Sequence, residues 1–241
     1  MKPRAGGVLT SVMVVLTVTT GMIEAVSFLA LGPVFTAMQT GNILLLAFAL
    51  TGAAGLSPAA AGVSCGGFVI GAVLGSRLET SVDVHGRRWF GPALLGEGLL
   101  LALAALVAWR AGVDGRAGLD GPVDGRHFAV VALAAAAMGV RNVTTLRVRV
   151  PDVPTTLSTR ALTAFLGGLP TVADNRIGVG ARHEGRRFAS VVAMFAGGLL
   201  GAWLLHEGVR PAAVLIVPGA LALVLGVTFW AVPARRTSEP G

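Results

Sequence analysis

From Val8 to Leu31 the chain carries a single charged side chain, Glu24, and seven further stretches of similar character follow it, at roughly 40–56, 59–76, 90–109, 128–146, 156–172, 188–205 and 211–232. A helix of about 20 apolar residues crosses the hydrocarbon core of a bilayer. Runs of that length leave few alternatives to a bundle of membrane helices, because lipid offers the backbone no hydrogen-bond partner of its own. Composition agrees. Only 13% of the 241 residues are charged and 54% are hydrophobic, against about 25% charged in ordinary globular domains. The first run is too long for the 7–15-residue apolar region of a signal peptide and reads as a retained helix.

The net charge of +7 suits the loops of a membrane protein, where Lys and Arg collect on the cytoplasmic side, better than a nucleic-acid surface. Cys65 is the one cysteine, which leaves no internal disulfide and no cysteine-based metal cluster. It reads as a packing residue.

Two of the eight runs differ from the rest. Those beginning at Thr40 and Thr156 are the shortest and follow Gly32-Pro33 and Pro151-Asp152-Val153-Pro154. Proline removes a backbone donor and stops a helix, so both are expected to be broken or re-entrant. Counting Lys and Arg supports this. With eight crossings the loops divide eleven inside against six outside, and with six crossings thirteen against four. Both termini are cytoplasmic in either arrangement.

An internal repeat links the halves. Gly21-Met22-Ile23-Glu24 corresponds to Gly139-Val140-Arg141-Asn142, Thr40-Gly41-Asn42 to Thr159-Arg160-Ala161, and Gly71 through Gly75 to Gly197 through Gly201. With three crossings in each half, the two would be inverted, as in many secondary transporters. The expected architecture is therefore all-α: a first membrane repeat at 1–110, a polar linker at 111–126, a second repeat at 127–233 and a cytoplasmic tail at 234–241, with six spanning helices and two short re-entrant ones. Eight full crossings are the alternative.

Charges within apolar runs mark where function is to be sought, since each costs about 2.5–3.5 kcal/mol at mid-bilayer. Glu24, Glu97, Arg141 and Arg160 stand out. If the repeat places Glu24 and Arg141-Asn142 about one axis, a Glu24–Arg141 ion pair is expected, either as a gate or as a lock between helices. Thr40-Gly41-Asn42 and the threonines from Thr155 to Thr159 precede the short runs. Such ends expose backbone N–H groups that attract anions, or the threonines simply cap helices beside a break. Gly71/Gly75 and Gly197/Gly201 have a spacing that lets helices approach closely. The four histidines show no metal-ligand spacing, and no hydrolase elbow or phosphate loop is present, so neither enzyme chemistry nor a cofactor is expected.

Gly21-x-x-Glu24-Ala25-Val26-Ser27-Phe28-Leu29, then Phe35-Thr36-Ala37-Met38-x-Thr40-Gly41-Asn42, and later Ala137-Met138-Gly139-Val140-Arg141-Asn142 resemble the YoaK-like bacterial membrane proteins (domain of unknown function, number 1275). That resemblance implies six transmembrane segments, a bacterial inner-membrane location and no established activity. Glu24 stands where the family usually has Asp, Arg141 replaces a Gln, and Arg160 replaces the Gly of a second Thr-Gly motif. The expected function is a small secondary transporter or permease, with a midplane site for a small anionic or polar ligand formed by Glu24, Thr40, Gly41, Asn42, Arg141, Asn142, Thr156, Thr159 and Arg160. A non-transporting scaffold or accessory subunit is the alternative, and lipid is the one partner expected in either case.

Overall fold

Local hydropathy dictates helices, and helices are what forms. The computed structural model describes residues 4–84, 89–113, 123–148 and 181–231. Among these, seven helices and no strand occur: α1 (Arg4–Ala30), α2 (Gln39–Leu50), α3 (Pro58–Val84), α4 (Phe90–Arg110), α5 (Gly125–Val148), α6 (Ala181–His206) and α7 (Pro211–Ala231). The sixth apolar run, most of the linker and the C-terminal tail lie outside the described residues. All the helices except α2 are long and apolar enough to cross a membrane. Their outward faces carry Val69, Ile70, Leu99, Phe195, Leu199, Trp203 and Val224, each more than half exposed. An apolar surface of this extent needs lipid around it, and the chain is a multi-pass membrane protein.

Packing fixes the helix directions. The early α1 residues Val12, Met13 and Leu16 share a cluster with Leu94 near the start of α4 and with Val148 at the end of α5. Later α1 residues, from Met22 to Ala30, share a second cluster with Leu101 to Ala108 of α4 and with Val130 to Met138 of α5. So α4 runs with α1, and α5 runs against it. Gly67, Gly71 and Gly75 meet Ala132, Ala136 and Val140 in turn, which makes α3 parallel to α5, and Gly197 and Gly201 meet Val18 and Met22, which makes α6 parallel to α1. Gly91 lies against Gly226 and Gly98 against Gly219, so α7 opposes α4. Three helices thus run each way.

One consequence concerns α2. Because α1 and α3 run in opposite directions, the chain between them leaves and returns on the same side. The 12 residues of α2 rise only about 18 Å, short of the roughly 30 Å core. The second run is therefore re-entrant, and the eight-crossing alternative is incorrect there. Likewise α5 ends and α6 begins on one side of the bundle.

Close approach, not greasy bulk, holds the bundle together. Lipid tails are as apolar as leucine, so helix association in lipid rests on van der Waals contact between backbones separated only by small residues. A Cβ on Gly71 would sit 1.9 Å from the Ala136 carbonyl oxygen, and one on Gly197 would sit 1.9 Å from that of Val18. Where α5 begins, Asp124 accepts from the backbone N–H groups of Arg126 (3.0 Å) and His127 (3.4 Å), an N-cap. Hydrogen bonds from the Arg126 guanidinium and the His127 ring hold its carboxyl well below the usual range.

Candidate functional site

Two groups of polar side chains stand out inside this bundle. The first surrounds the re-entrant segment. Gly32, at φ 118°, turns the chain out of α1 in a conformation that suits glycine, and residues 31–38 fold back along α1. Ser27 donates to the Val34 carbonyl at 2.6 Å. Glu24, 6% exposed, receives the Thr36 N–H (3.1 Å to Oε1), the Thr36 hydroxyl (2.8 Å) and the Ala37 N–H (2.6 Å). Its carboxylate does for this segment what a helix would otherwise do, satisfying backbone donors that lipid cannot.

Asn42 completes the clamp. Its Oδ1 accepts the Phe35 N–H at 2.9 Å while its Nδ2 donates to the Phe35 carbonyl at 2.5 Å, and the same carbonyl receives the Ser64 hydroxyl of α3. Gly41 lies under the Phe35 ring, where a Cβ would stand 3.1 Å from Cδ2, and Phe35 stacks on Phe28 at 5.1 Å. Gly41 and Asn42 are thus explained by the shape of the re-entrant segment. Thr40 is not part of this clamp. The helix begins at Gln39 with Met38 as its N-cap and no side-chain cap bond. Two residues along a helix is about 200° of rotation, so with Asn42 facing α3, Thr40 faces outward and is exposed. Its expected role as a cap is corrected accordingly. Asn42→Ala is expected to cost about 1–2 kcal/mol, because it takes the partner from the part-buried Phe35 N–H, whereas Thr40→Ala should stay within about 0.5 kcal/mol. Thermal unfolding of the purified protein in detergent checks both.

The second group lies where α1, α3, α4 and α5 meet. Arg141 is 1% exposed and pairs directly with Glu97 of α4, also 1% exposed. Its other terminal nitrogen donates to the Leu16 carbonyl at 2.8 Å and to the Thr20 hydroxyl at 2.7 Å. One helical turn on, the Thr144 hydroxyl donates to Glu79 Oε1 of α3 at 2.7 Å. Arg147 approaches Glu79 Oε2 to 3.9 Å and lies over the Trp89 ring at 5.2 Å. Two buried atoms here, Arg141 Nε and Glu79 Oε2, have no hydrogen-bond partner. Glu97 is the eighth residue of α4 and Arg141 the eighth from the end of α5, about 10 Å from either helix end. The cluster therefore sits nearer one face of the bundle than its middle.

The expected Glu24–Arg141 pair does not form. The repeat equates Glu24 with Asn142, but equivalence about an axis is not proximity. Because α1 and α5 are antiparallel, Arg141 lies level with Leu16 and Thr20, while Glu24 lies more than a turn beyond and is taken up by the re-entrant segment. Asn142 is half-buried and has partners of its own. Thr156, Thr159 and Arg160 lie outside the described residues. Glu79 lies beyond the apolar run at 59–76 and so outside the sequence-based site, whereas α3 continues to Val84. A signal for it did exist. Gly71, Gly75 and Glu79 follow at intervals of four, which puts Glu79 on the face that meets α5.

The polar pattern that carries the family resemblance, Glu24 with Phe35 to Asn42 and the α5 stretch around Arg141, is also the buried polar framework of the bundle. A family described as "Protein of unknown function (DUF1275)" matches residues 12–228. The chain belongs to this family. The match runs from α1 to α7 and takes in both polar groups. No curated protein and no solved structure matched the chain.

Proposed function

We propose that this DUF1275 protein is a small permease built from two inverted repeats, with the charged cluster of Arg141, Glu97 and Glu79 on its solute path. One observation carries the reading: the contacts that α3 of the first half makes with α5 of the second recur, under the sequence alignment of the repeat, between α6 of the second half and α1 of the first. Gly71 meets Ala136 as Gly197 meets Val18. Gly139 meets Phe68 and Ala72 as Gly21 meets Met194 and Gly198, and Gly75 meets Val140 as Gly201 meets Met22. Equating α1 with α5 and α3 with α6 accounts for every one of these pairs. The opposite directions of α1 and α5 are those of inverted halves, an arrangement that lets one half rock against the other around a fixed site. A charge pair buried between the helices fits a small polar or anionic solute, and the reading includes no catalysis. The end of the bundle carrying Arg77 and Arg147 is taken as cytoplasmic and the membrane as the bacterial inner membrane.

A scaffold without transport is favoured by a different observation, that Glu24 and Asn42 spend their hydrogen bonds on the chain's own backbone. The two readings separate in one experiment. In a Cys65→Ser background, Thr20→Cys and Thr144→Cys are exposed to a membrane-impermeant thiol reagent in right-side-out and in inverted vesicles. A panel of chloride, phosphate, acetate and glycine is assayed for uptake into proteoliposomes. A permease is expected to label from both sides and to pass at least one solute faster than empty liposomes do. Labelling from neither side, with uptake equal to that of empty liposomes, leaves the scaffold.

A further inference from the structure

Between the lipid-facing sides of α4 and α7 runs an open groove of about 680 Å³. Its lining repeats at helical spacing on each wall, with Ala102 and Trp109 on α4 and Ala213, Ile216 and Ala220 on α7. Small side chains make the slot: where bulky residues would close the seam between these antiparallel helices, alanines leave it open toward lipid. One end is chemically different. There α4 finishes with Trp109 and Arg110, whose guanidinium lies over the indole at 5.6 Å, and Arg210, which lines the groove, immediately precedes α7. Arg210 is exposed and makes no ion pair among the described residues. The nearest acid in sequence, Glu207, is also exposed and is not paired with it.

From Arg210 to Leu223, the deepest α7 residue on the groove, the helix rises about 20 Å. One leaflet of the hydrocarbon core is about 15 Å deep. The groove therefore reaches from the interface to about the middle of the bilayer, with an aromatic and two cations at the headgroup level and apolar walls below. Indole rings favour that level, and an arginine guanidinium forms strong charge-assisted hydrogen bonds with phosphate oxygens.

We propose that this groove is a binding site for an anionic phospholipid, with one acyl chain in the alanine-lined slot and the phosphate group at Arg210. The proposal is independent of whether the protein transports anything. It assigns Arg210 and Arg110 to headgroup attraction and Ala213 and Ala220 to leaving room for the chain.

The test uses the full-length protein, purified in detergent and stripped of lipid. Phosphatidylglycerol and phosphatidylcholine with the same acyl chains are added at equal concentration, and binding is read by native mass spectrometry alongside the midpoint of thermal unfolding. Phosphatidylglycerol is expected to be retained several times better and to raise the midpoint. Arg210→Gln, at an exposed position, should reduce the preference severalfold while leaving the lipid-free midpoint unchanged. Ala213→Leu with Ala220→Leu, which fills the slot and keeps the charge, should weaken retention of both lipids. Equal retention of the two lipids by the wild type would overturn the proposal. So would an equal stabilisation by inorganic phosphate alone, which would make the site one for a free anion, or lipid retention unaffected by filling the slot.

Discussion

Arg141→Gln is expected to lower the stability of the bundle by about 3–5 kcal/mol, the usual cost of removing one partner from a buried ion pair. Glu97 is 1% exposed and has its carboxylate against the Arg141 guanidinium. With the guanidinium gone, a charge remains inside a membrane bundle, and the Leu16 carbonyl and Thr20 hydroxyl lose a donor as well. The double variant Glu97→Gln/Arg141→Gln leaves two neutral amides that can bond each other. It should recover most of the loss, because a buried pair often does little better than a neutral replacement of similar volume. Glu24→Gln is expected to be milder than Arg141→Gln, since the amide oxygen can still accept the Ala37 N–H. Unfolding in mixed detergent micelles, with the two single variants and the double variant forming a cycle, measures these differences. A double variant as unstable as the sum of its singles would mean that the pair does not act as a unit.

This pairing also marks the limit of reading such a chain from its residues. The spanning helices were legible because hydropathy is a property of each segment alone: the run expected at 90–109 is α4, and that at 211–232 is α7, each to within a residue or so. The re-entrant turn was legible too, because Gly32-Pro33 and a following run as short as any in the chain are local signals. Partner choice is not local. Glu24, Glu97 and Arg141 were all visible as charges out of place, but which acid meets Arg141 depends on the depth of each along antiparallel helices, and depth follows from packing. Asn42 belonged to the expected site on the strength of its neighbours Thr40 and Gly41. Its use became clear only when Phe35, seven residues earlier, was seen to bring both its backbone groups to the same amide. Thr40 illustrates the converse, since moving the helix start by one residue turned it from a cap into an outward side chain.

The glycines give the sharpest test of how the helices associate. Gly71→Ala and Gly197→Ala are each expected to cost about 3 kcal/mol or more, at or above the top of the range for overpacking. Each new methyl would lie 1.9 Å from a backbone carbonyl oxygen, that of Ala136 or Val18, and a backbone inside a helix cannot retreat as a side-chain tip can. Gly62 and Gly66 lie on the same helix as Gly71 and have nothing within 4 Å of an added Cβ. There alanine should be neutral or stabilising, by up to about 1 kcal/mol, because glycine is the poorer helix former. Thermal unfolding of the four single variants resolves effects this far apart. Equal losses at Gly71 and Gly197 are what two copies of one helix contact require. If Gly197→Ala were silent while Gly71→Ala unfolded the protein, α1 and α6 would not be packed as α5 and α3 are, and the repeat on which the permease proposal rests would go with them.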